Sequence, residues 1–270
     1  PLWGCLVRYL TTSDIRWFEL AREQANHVRD IDIYHTTADR WPYNHGLFWH
    51  TNHYLQAGRA SHRAYDPANG TGGGPAAEHL YPSGLKLHYL LTGDVRSRQH
   101  VIDFGDYVIN SDDGRLQKFW PISSAPTGYM SASGTADYHR PGRGAGNAIV
   151  ALLEAFDLSR DRRYLTKAEE LIRRCCNPHD DLDERDLFNI EKRWYYMVFL
   201  HALTRYLNLK RSFGEEDANF DYARQSLLLY VRWAASNEYP YLDKPEVLEF
   251  PTETWAAQEM RKSEVFDRAS

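Results

Sequence analysis

One short pattern recurs along the chain and constrains its fold more than any other feature. Tyr9-Leu10-Thr11-Thr12-Ser13-Asp14 stands before Ile15-Arg16-Trp17-Phe18, and Tyr89-Leu90-Leu91-Thr92-Gly93-Asp94 stands before Val95-Arg96. A looser copy, Phe156-Asp157-Leu158-Ser159-Arg160-Asp161, precedes Arg162-Arg163-Tyr164. Each copy reads as an apolar helix, a turn of about three residues ending in Asp, and a second helix. Asp is a good N-cap because its side-chain oxygen accepts a backbone N–H that has no partner inside the helix. A link that short makes the two helices antiparallel neighbours. A fourth, looser pair joins a helix ending near Leu207 to one starting near Asp217.

The two helices of each pair differ in patterning. The helix before the turn is apolar nearly all round, as in Ala148, Ile149, Ala151, Leu152, Leu153, Ala155 and Phe156, or Met197, Val198, Phe199, Leu200, Ala202 and Leu203. Such a helix is buried on every side. The helix after the turn is one-sided: Tyr164, Ala168, Leu171, Ile172 and Cys175 form a stripe, with Glu169, Glu170, Arg173 and Arg174 outside it. Phe18, Ala21, Ala25 and Val28 form a similar stripe. The expected fold is therefore all-α, an (α/α) toroid or incomplete barrel of antiparallel hairpins with inner and outer helix layers. The whole chain, 1–270, is expected to form one such domain. About five inner and four outer helices are counted; the chain begins inside an inner helix (1–10) and ends on another (252–267) that lacks its outer partner. This predicts an incomplete ring whose remaining segments belong to a longer protein.

The connections are lopsided. Links from inner to outer helix are short, whereas outer-to-inner links run roughly over 31–77, 112–142, 177–190 and 237–251, and all are expected to emerge at one rim. Long loops in compact domains are usually functional or disordered, and these are too aromatic for disorder. Polar and aromatic clusters open the inner helices: Glu78-His79-Leu80-Tyr81-Pro82, Asp137-Tyr138-His139-Arg140-Pro141-Gly142-Arg143, Glu191-Lys192-Arg193-Trp194-Tyr195-Tyr196 and Pro251-Thr252-Glu253-Thr254-Trp255. One Glu in a first helical turn only favours the helix dipole. Four clusters at one rim point instead to a sugar cleft, where rings stack on pyranose faces while carboxylates and Arg bind hydroxyls or uronates. Six of the chain's 12 histidines fall between His35 and His79, among Trp41, Tyr43 and Trp49. His50 and His53, at i,i+3 spacing, could share a metal, but no further ligand set is evident, and proton transfer is the preferred role. Neither a metal nor a cofactor is expected.

Composition excludes several classes. The net charge of −5 offers no basic field for nucleic acid. No apolar run approaches the ~20 residues of a membrane span. The three cysteines make no disulfide framework, and Cys175 reads as a buried thiol. The compartment is not legible. Gly70–Gly74 lacks the Gly-Lys-Ser/Thr ending of a phosphate loop. Asp180-Asp181-Leu182-Asp183-Glu184 reads as a solvated turn rather than the acidic Mg²⁺ cluster of a terpenoid toroid.

The repeat of apolar helix, Thr-Gly-Asp turn, amphipathic helix and long aromatic loop resembles the six-hairpin glycosidase-like superfamily. Leu91-Thr92-Gly93-Asp94 and Glu253-Thr254-Trp255-Ala256-Ala257 carry the likeness. The resemblance implies an (α/α) toroid and a poly- or oligosaccharide substrate bound where the inner helices start. Hydrolysis needs two carboxyl groups about the scissile bond, for which Glu78, Asp137, Glu191 and Glu253 are the rim candidates. Polysaccharide lyase chemistry needs a Tyr or His base and a cation that stabilises the enolate of a uronate; His50, His53, His79, Tyr43, Tyr81, Arg140, Arg143 and Arg193 would serve. Trp41, Trp49, His139, Trp194, Tyr195 and Trp255 complete the expected substrate contacts. Glycoside hydrolysis is the leading expectation, lyase chemistry the alternative, and a non-catalytic helical-repeat scaffold the third.

Overall fold

The computed structural model describes residues 1–38, 41–48, 75–117, 121–132, 139–249 and 251–269. They are mostly helical, and no strand occurs among the described residues, only three isolated bridges. The chain is all-α, as expected. The principal helices are α1 (Leu2–Thr12), α2 (Ile15–His27), α3 (Ser83–Thr92), α4 (Val95–Asp112), α5 (Arg143–Ser159), α6 (Arg162–Cys175), the single turn α7 (Ile190–Arg193), α8 (Tyr196–Ser212), α9 (Ala218–Asn237) and α10 (Thr254–Ala269). No described helix is long and apolar enough to cross a membrane. The expected helix starting near residue 190 is broken at Trp194-Tyr195, so α7 and α8 are separate.

The repeated turns are built alike at atomic level. The residue after α1, α3 or α5 adopts a left-handed conformation: Ser13 at φ 55°, Gly93 at 71° and Arg160 at 64°. Its N–H closes the helix on the carbonyl four residues back, at Tyr9, Tyr89 and Phe156. Thr12, Thr92 and Ser159 each donate a hydroxyl to the carbonyl of Arg8, His88 or Ala155, at 2.6–2.7 Å. The same hydroxyls accept the N–H of Asp14, Asp94 and Asp161 at 3.2–3.3 Å. The three carboxylates then cap the next helix, accepting from the N–H of Arg16, Arg96 and Arg163 at 2.9–3.0 Å. Left-handed backbone costs an L-residue roughly 1–2 kcal/mol, and the cap hydrogen bonds offset it. Asp217 caps α9 through the N–H groups of Asn219 and Phe220.

The chain divides into two compact units, Pro1–Met130 with Val150–Lys167, and Ser131–Ile149 with Ala168–Ser270. In the first, α1 packs on α2 and α3, and α3 on α4. Gly105 of α4 is required by close approach: a Cβ there would lie 2.6 Å from Ala155 Cβ and 2.8 Å from the Tyr164 ring. After α2 the backbone makes a π-helical turn over Val28–Asp32. This turn holds Arg29, which is 2% exposed. Its guanidinium donates to Asp94 at 2.5 Å, to Ser97 Oγ at 2.8 Å and to Asn26. Ser97 Oγ also hydrogen-bonds His88 Nδ1 at 2.9 Å. Burial, then the charge of Arg29, pushes the His88 imidazole below its ordinary value, so it is neutral at neutral pH. The cap of α4 is thereby also the acceptor for a buried cation.

The second unit repeats that device. Lys210, near the end of α8, is 1% exposed. Its ammonium meets Asp217 at 2.6 Å, Glu215 at 3.2 Å and Glu169 at 3.4 Å. Helix α8 is buried along most of its length and packs on α9 and α10. Gly146 of α5 lets the α8 backbone approach, because a Cβ there would sit 3.0 Å from Phe199 Cα and Val198 O.

Replacing Asp94 with Ala should cost about 3–5 kcal/mol in urea unfolding, because it leaves the buried Arg29 without its carboxylate. Asp14→Ala, whose partner Arg16 is exposed, should cost less. Burial works to raise the Asp94 carboxyl, but hydrogen bonds from Arg29 and the Arg96 N–H, with their charges, hold it below 3.8. A depressed folded value makes this contribution fully present above about pH 4 and lost as pH falls further. Asp94→Asn should therefore flatten the acid limb of the stability profile.

Candidate functional site

The second unit gathers three arginines and three tyrosines on one small cavity. The loop after α6 is organised by Asp180, the first acid of the Asp180–Glu184 run. Its carboxylate accepts from the Asn177 N–H at 2.9 Å, from Arg185 at 2.8 Å and from the Tyr230 hydroxyl at 2.8 Å. The next loop residues lead into α7, which carries Arg193, and Tyr195 caps the start of α8. From the other side, the bridge Ala132–His139 closes the loop before α5 and delivers Arg140 and Pro141. Arg140, Pro141, Arg185, Leu187, Arg193, Tyr195, Tyr196 and Tyr230 line a cavity of about 10 Å³, room for one water or one ligand oxygen.

Three of the lining residues are arginines. Arg140 is buried, donates to the Tyr195 hydroxyl and lies 5.3 Å from the centroid of that ring. Arg185 is neutralised by Asp180. Arg193 Nε lies 3.5 Å from Asp186. Its Nε and Nη1 are buried without a hydrogen-bond acceptor. Behind the cavity, the Tyr196 hydroxyl donates to Glu238, which pairs with Lys262 at 3.2 Å. Burial first, then the neighbouring carboxylates, pushes the Tyr196 and Tyr230 phenols well above their ordinary range. Both are donors here, not bases. Burial also raises the Glu238 carboxyl.

Of the residues singled out from sequence, Arg140, Arg193 and Tyr195 meet on this cavity. Glu191 does not line it and accepts the Glu249 N–H at 3.0 Å. Glu253 is exposed ahead of α10. Trp255 is 8% exposed, in a core cluster with Ile190, Tyr241 and Leu248, and Trp194 packs against it at 6.3 Å. These two rings are committed to packing. His139 Nδ1 pairs with Ser131 Oγ at 3.1 Å, which also accepts from Arg174 at 3.0 Å. Arg143 is half-buried at the start of α5.

In the first unit, Glu78 is half-buried and His79 buried in a short turn, Ala77–His79. Exposed Tyr81 donates to the Glu78 carbonyl at 3.3 Å, and its ring meets His79 at 6.0 Å. Tyr43 sits edge-on to Tyr34 at 5.9 Å. Trp49, His50, His53, Asp137 and the Trp41 side chain lie outside the described residues, as do Gly70–Gly74.

Sequence reasoning missed Arg185, Tyr230 and the role of Asp180. A run of acids reads as solvated, and only the first of them turns inward; the Asp180–Arg185 spacing carries no helical signature. It also missed Asp103 of α4. His100 Nδ1 lies 3.2 Å and His45 Nδ1 3.6 Å from one Asp103 carboxylate oxygen, and His45 is held at φ 69°. Among the described residues no group of three or more His, Cys, Asp or Glu could hold a metal ion. The three cysteines are buried.

Compared with known proteins, the chain matches no family model, no curated protein and no solved structure.

Asp180→Ala should leave the Tyr230 hydroxyl and the Arg185 guanidinium without their shared acceptor. A loss of about 2–4 kcal/mol is expected, read as a lowered thermal midpoint, whereas Asp181→Ala, at an exposed position, should leave the midpoint unchanged.

Proposed function

We propose that this chain is a carbohydrate-active enzyme that cleaves glycosidic bonds, with its hairpins forming part of an (α/α) toroid. The observation that carries this reading is the meeting of Arg140 with Arg193 and Tyr195, from two different long loops, at the start of α7 and α8. Long loops that converge on a rigid helical frame are a common way to build a binding site. Tyr195, half-buried beside fixed guanidinium groups, supplies both a ring face and a hydroxyl, the chemistry a sugar unit requires.

Hydrolysis, the leading expectation from sequence, requires a pair of carboxyl groups at the scissile bond. The Arg140–Tyr195 pair favours the second reading, elimination at a uronate. There the proton on the carbon α to the carboxyl group leaves to a base. The developing enolate is stabilised by a cation, and expulsion of the glycosidic oxygen leaves a double bond in the sugar. Arg140 and Arg193 supply cations, and Tyr195 supplies a phenol at hydrogen-bonding distance from one of them.

The test is incubation of the full chain with neutral and uronic polysaccharides. New reducing ends accompanied by the ultraviolet absorbance of an unsaturated uronate support elimination, and reducing ends without it support hydrolysis. Neither product on any glycan would favour a non-catalytic scaffold and overturn the enzyme reading. Tyr195→Phe should lower kcat by roughly 10²-fold or more, with KM little changed, if the hydroxyl takes part in proton transfer.

A further inference from the structure

A larger cavity lies in the first unit, and we propose that it binds a small planar aromatic anion, a ring system bearing one carboxylate or phosphate group. Its lining residues all belong to the first unit, so it stands apart from the glycan reading, which rests on the second.

The cavity has a volume of about 400 Å³, within the range of small-molecule pockets. One wall is a stripe of α2. Phe18, Arg22 and Asn26 follow one another at four-residue intervals, which places them along one helix face, and Arg29 continues the stripe in the π-helical turn. The rest of the lining comes from the α3–α4 turn, with His88 and Thr92 before it and Asp94 and Arg96 after it.

Charge selects the ligand first. Among the described residues, the lining holds three arginines and one carboxylate. Asp94 is already committed, since it accepts from the buried Arg29 and from the Arg96 N–H. Arg22 and Arg96 keep their guanidinium groups within reach of solvent, with side chains 57% and 62% exposed. Arg22 bonds the neighbouring Glu23, itself exposed, and Arg96 Nε lies 3.8 Å from Asp94. Exposed pairs of this kind are worth little, so an anion competes for both guanidinium groups at small cost. His88 reports the same field. Burial lowers it first, and Arg29 and Arg96 then oppose its protonation against Asp94 alone.

Shape selects the rest. The Phe18 ring is half-buried and leans on Tyr9, with centroids 5.2 Å apart. The methylene stems of Arg22 and Arg96 add apolar surface. A guanidinium plane stacks on an aromatic ring and forks onto a carboxylate or phosphate. Asn26 gives its Oδ1 to Arg29 and keeps its amide N–H groups as donors. A ring with an anionic substituent uses both kinds of surface, whereas a ring-free anion leaves the apolar wall wet and a neutral ring leaves the cations unmet. Because the walls come from α2 and from the α3–α4 turn, a bound ligand ties the two together and raises the thermal midpoint.

The experiment is titration calorimetry of the intact chain, with thermal midpoints read alongside, against naphthoate, naphthyl phosphate, neutral naphthamide, acetate and inorganic phosphate. At least one aromatic anion should bind about tenfold more tightly than naphthamide and than the ring-free anion with the same charged group, and added salt should weaken it. Arg22→Gln and Arg96→Gln should each weaken it roughly tenfold, and Phe18→Leu should weaken it too. Arg16→Gln, at the first turn and outside the lining, should leave it unchanged. Circular dichroism establishes that the variants fold. The tighter of naphthoate and naphthyl phosphate identifies the charged group, and either result supports the site. Naphthamide binding as tightly as both aromatic anions, or binding indifferent to both glutamine variants, overturns it. Equal losses in Arg16→Gln and in the two cavity variants overturn it as well, since the attraction would then be diffuse. Acetate and inorganic phosphate binding as tightly as their aromatic counterparts overturn the aromatic ligand, and no binding of any probe overturns the proposal.

Discussion

An aspartate carboxylate at a tight turn does two jobs in this molecule, and much of the fold depends on their coincidence. It closes the N-terminus of a helix, and at two of the turns it also receives a cation from the interior: Arg29 at Asp94 and Lys210 at Asp217. A cap alone is worth about 1 kcal/mol. A buried cation that loses its carboxylate costs several times more. Coupling the two means that the turn cannot shift without exposing an unpaired charge inside the protein. Helices on both sides of the turn are held in register by one side chain.

That constraint leaves the other ends of the helices free to differ. The segments that return from one hairpin to the next are long, and their order comes from polar contacts particular to each. In the second unit the return is organised by Asp180, Arg185 and Tyr230, and further along by the packing of Trp255 against Ile190, Tyr241 and Leu248. In the first unit it runs through Tyr34, whose N–H meets the Gly46 carbonyl, and His45 beside Asp103. Arginine is the common currency of the site that results. Its fork can be pinned by one acceptor while other N–H groups remain for further contacts, as Arg185 is pinned on Asp180.

The helices and their turns were legible because periodicity and capping are local. The Thr12, Thr92 and Ser159 positions and the aspartates two residues on can be read from a few residues each, and the structure realises all three. The buried counter-cations were not legible, since Arg29 reaches Asp94 across 65 residues and nothing in its neighbourhood marks it as internal. The site was legible in part. Arg140, Arg193 and Tyr195 stood out as polar residues at helix starts. The same logic also selected Trp194 and Trp255, which the core takes instead, because an aromatic near a rim reads alike whether it faces solvent or packs inward. Asp180 was hidden inside an acidic run, and Arg185 had no pattern to reveal it.

The most direct test of the account is a double-mutant cycle on Arg29 and Asp94, read by urea unfolding. Arg29→Met combined with Asp94→Ala should cost at least about 1 kcal/mol less than the sum of the two single changes, because each partner's role depends on the other. Strictly additive losses would contradict it, since the cap and the buried cation would then act independently.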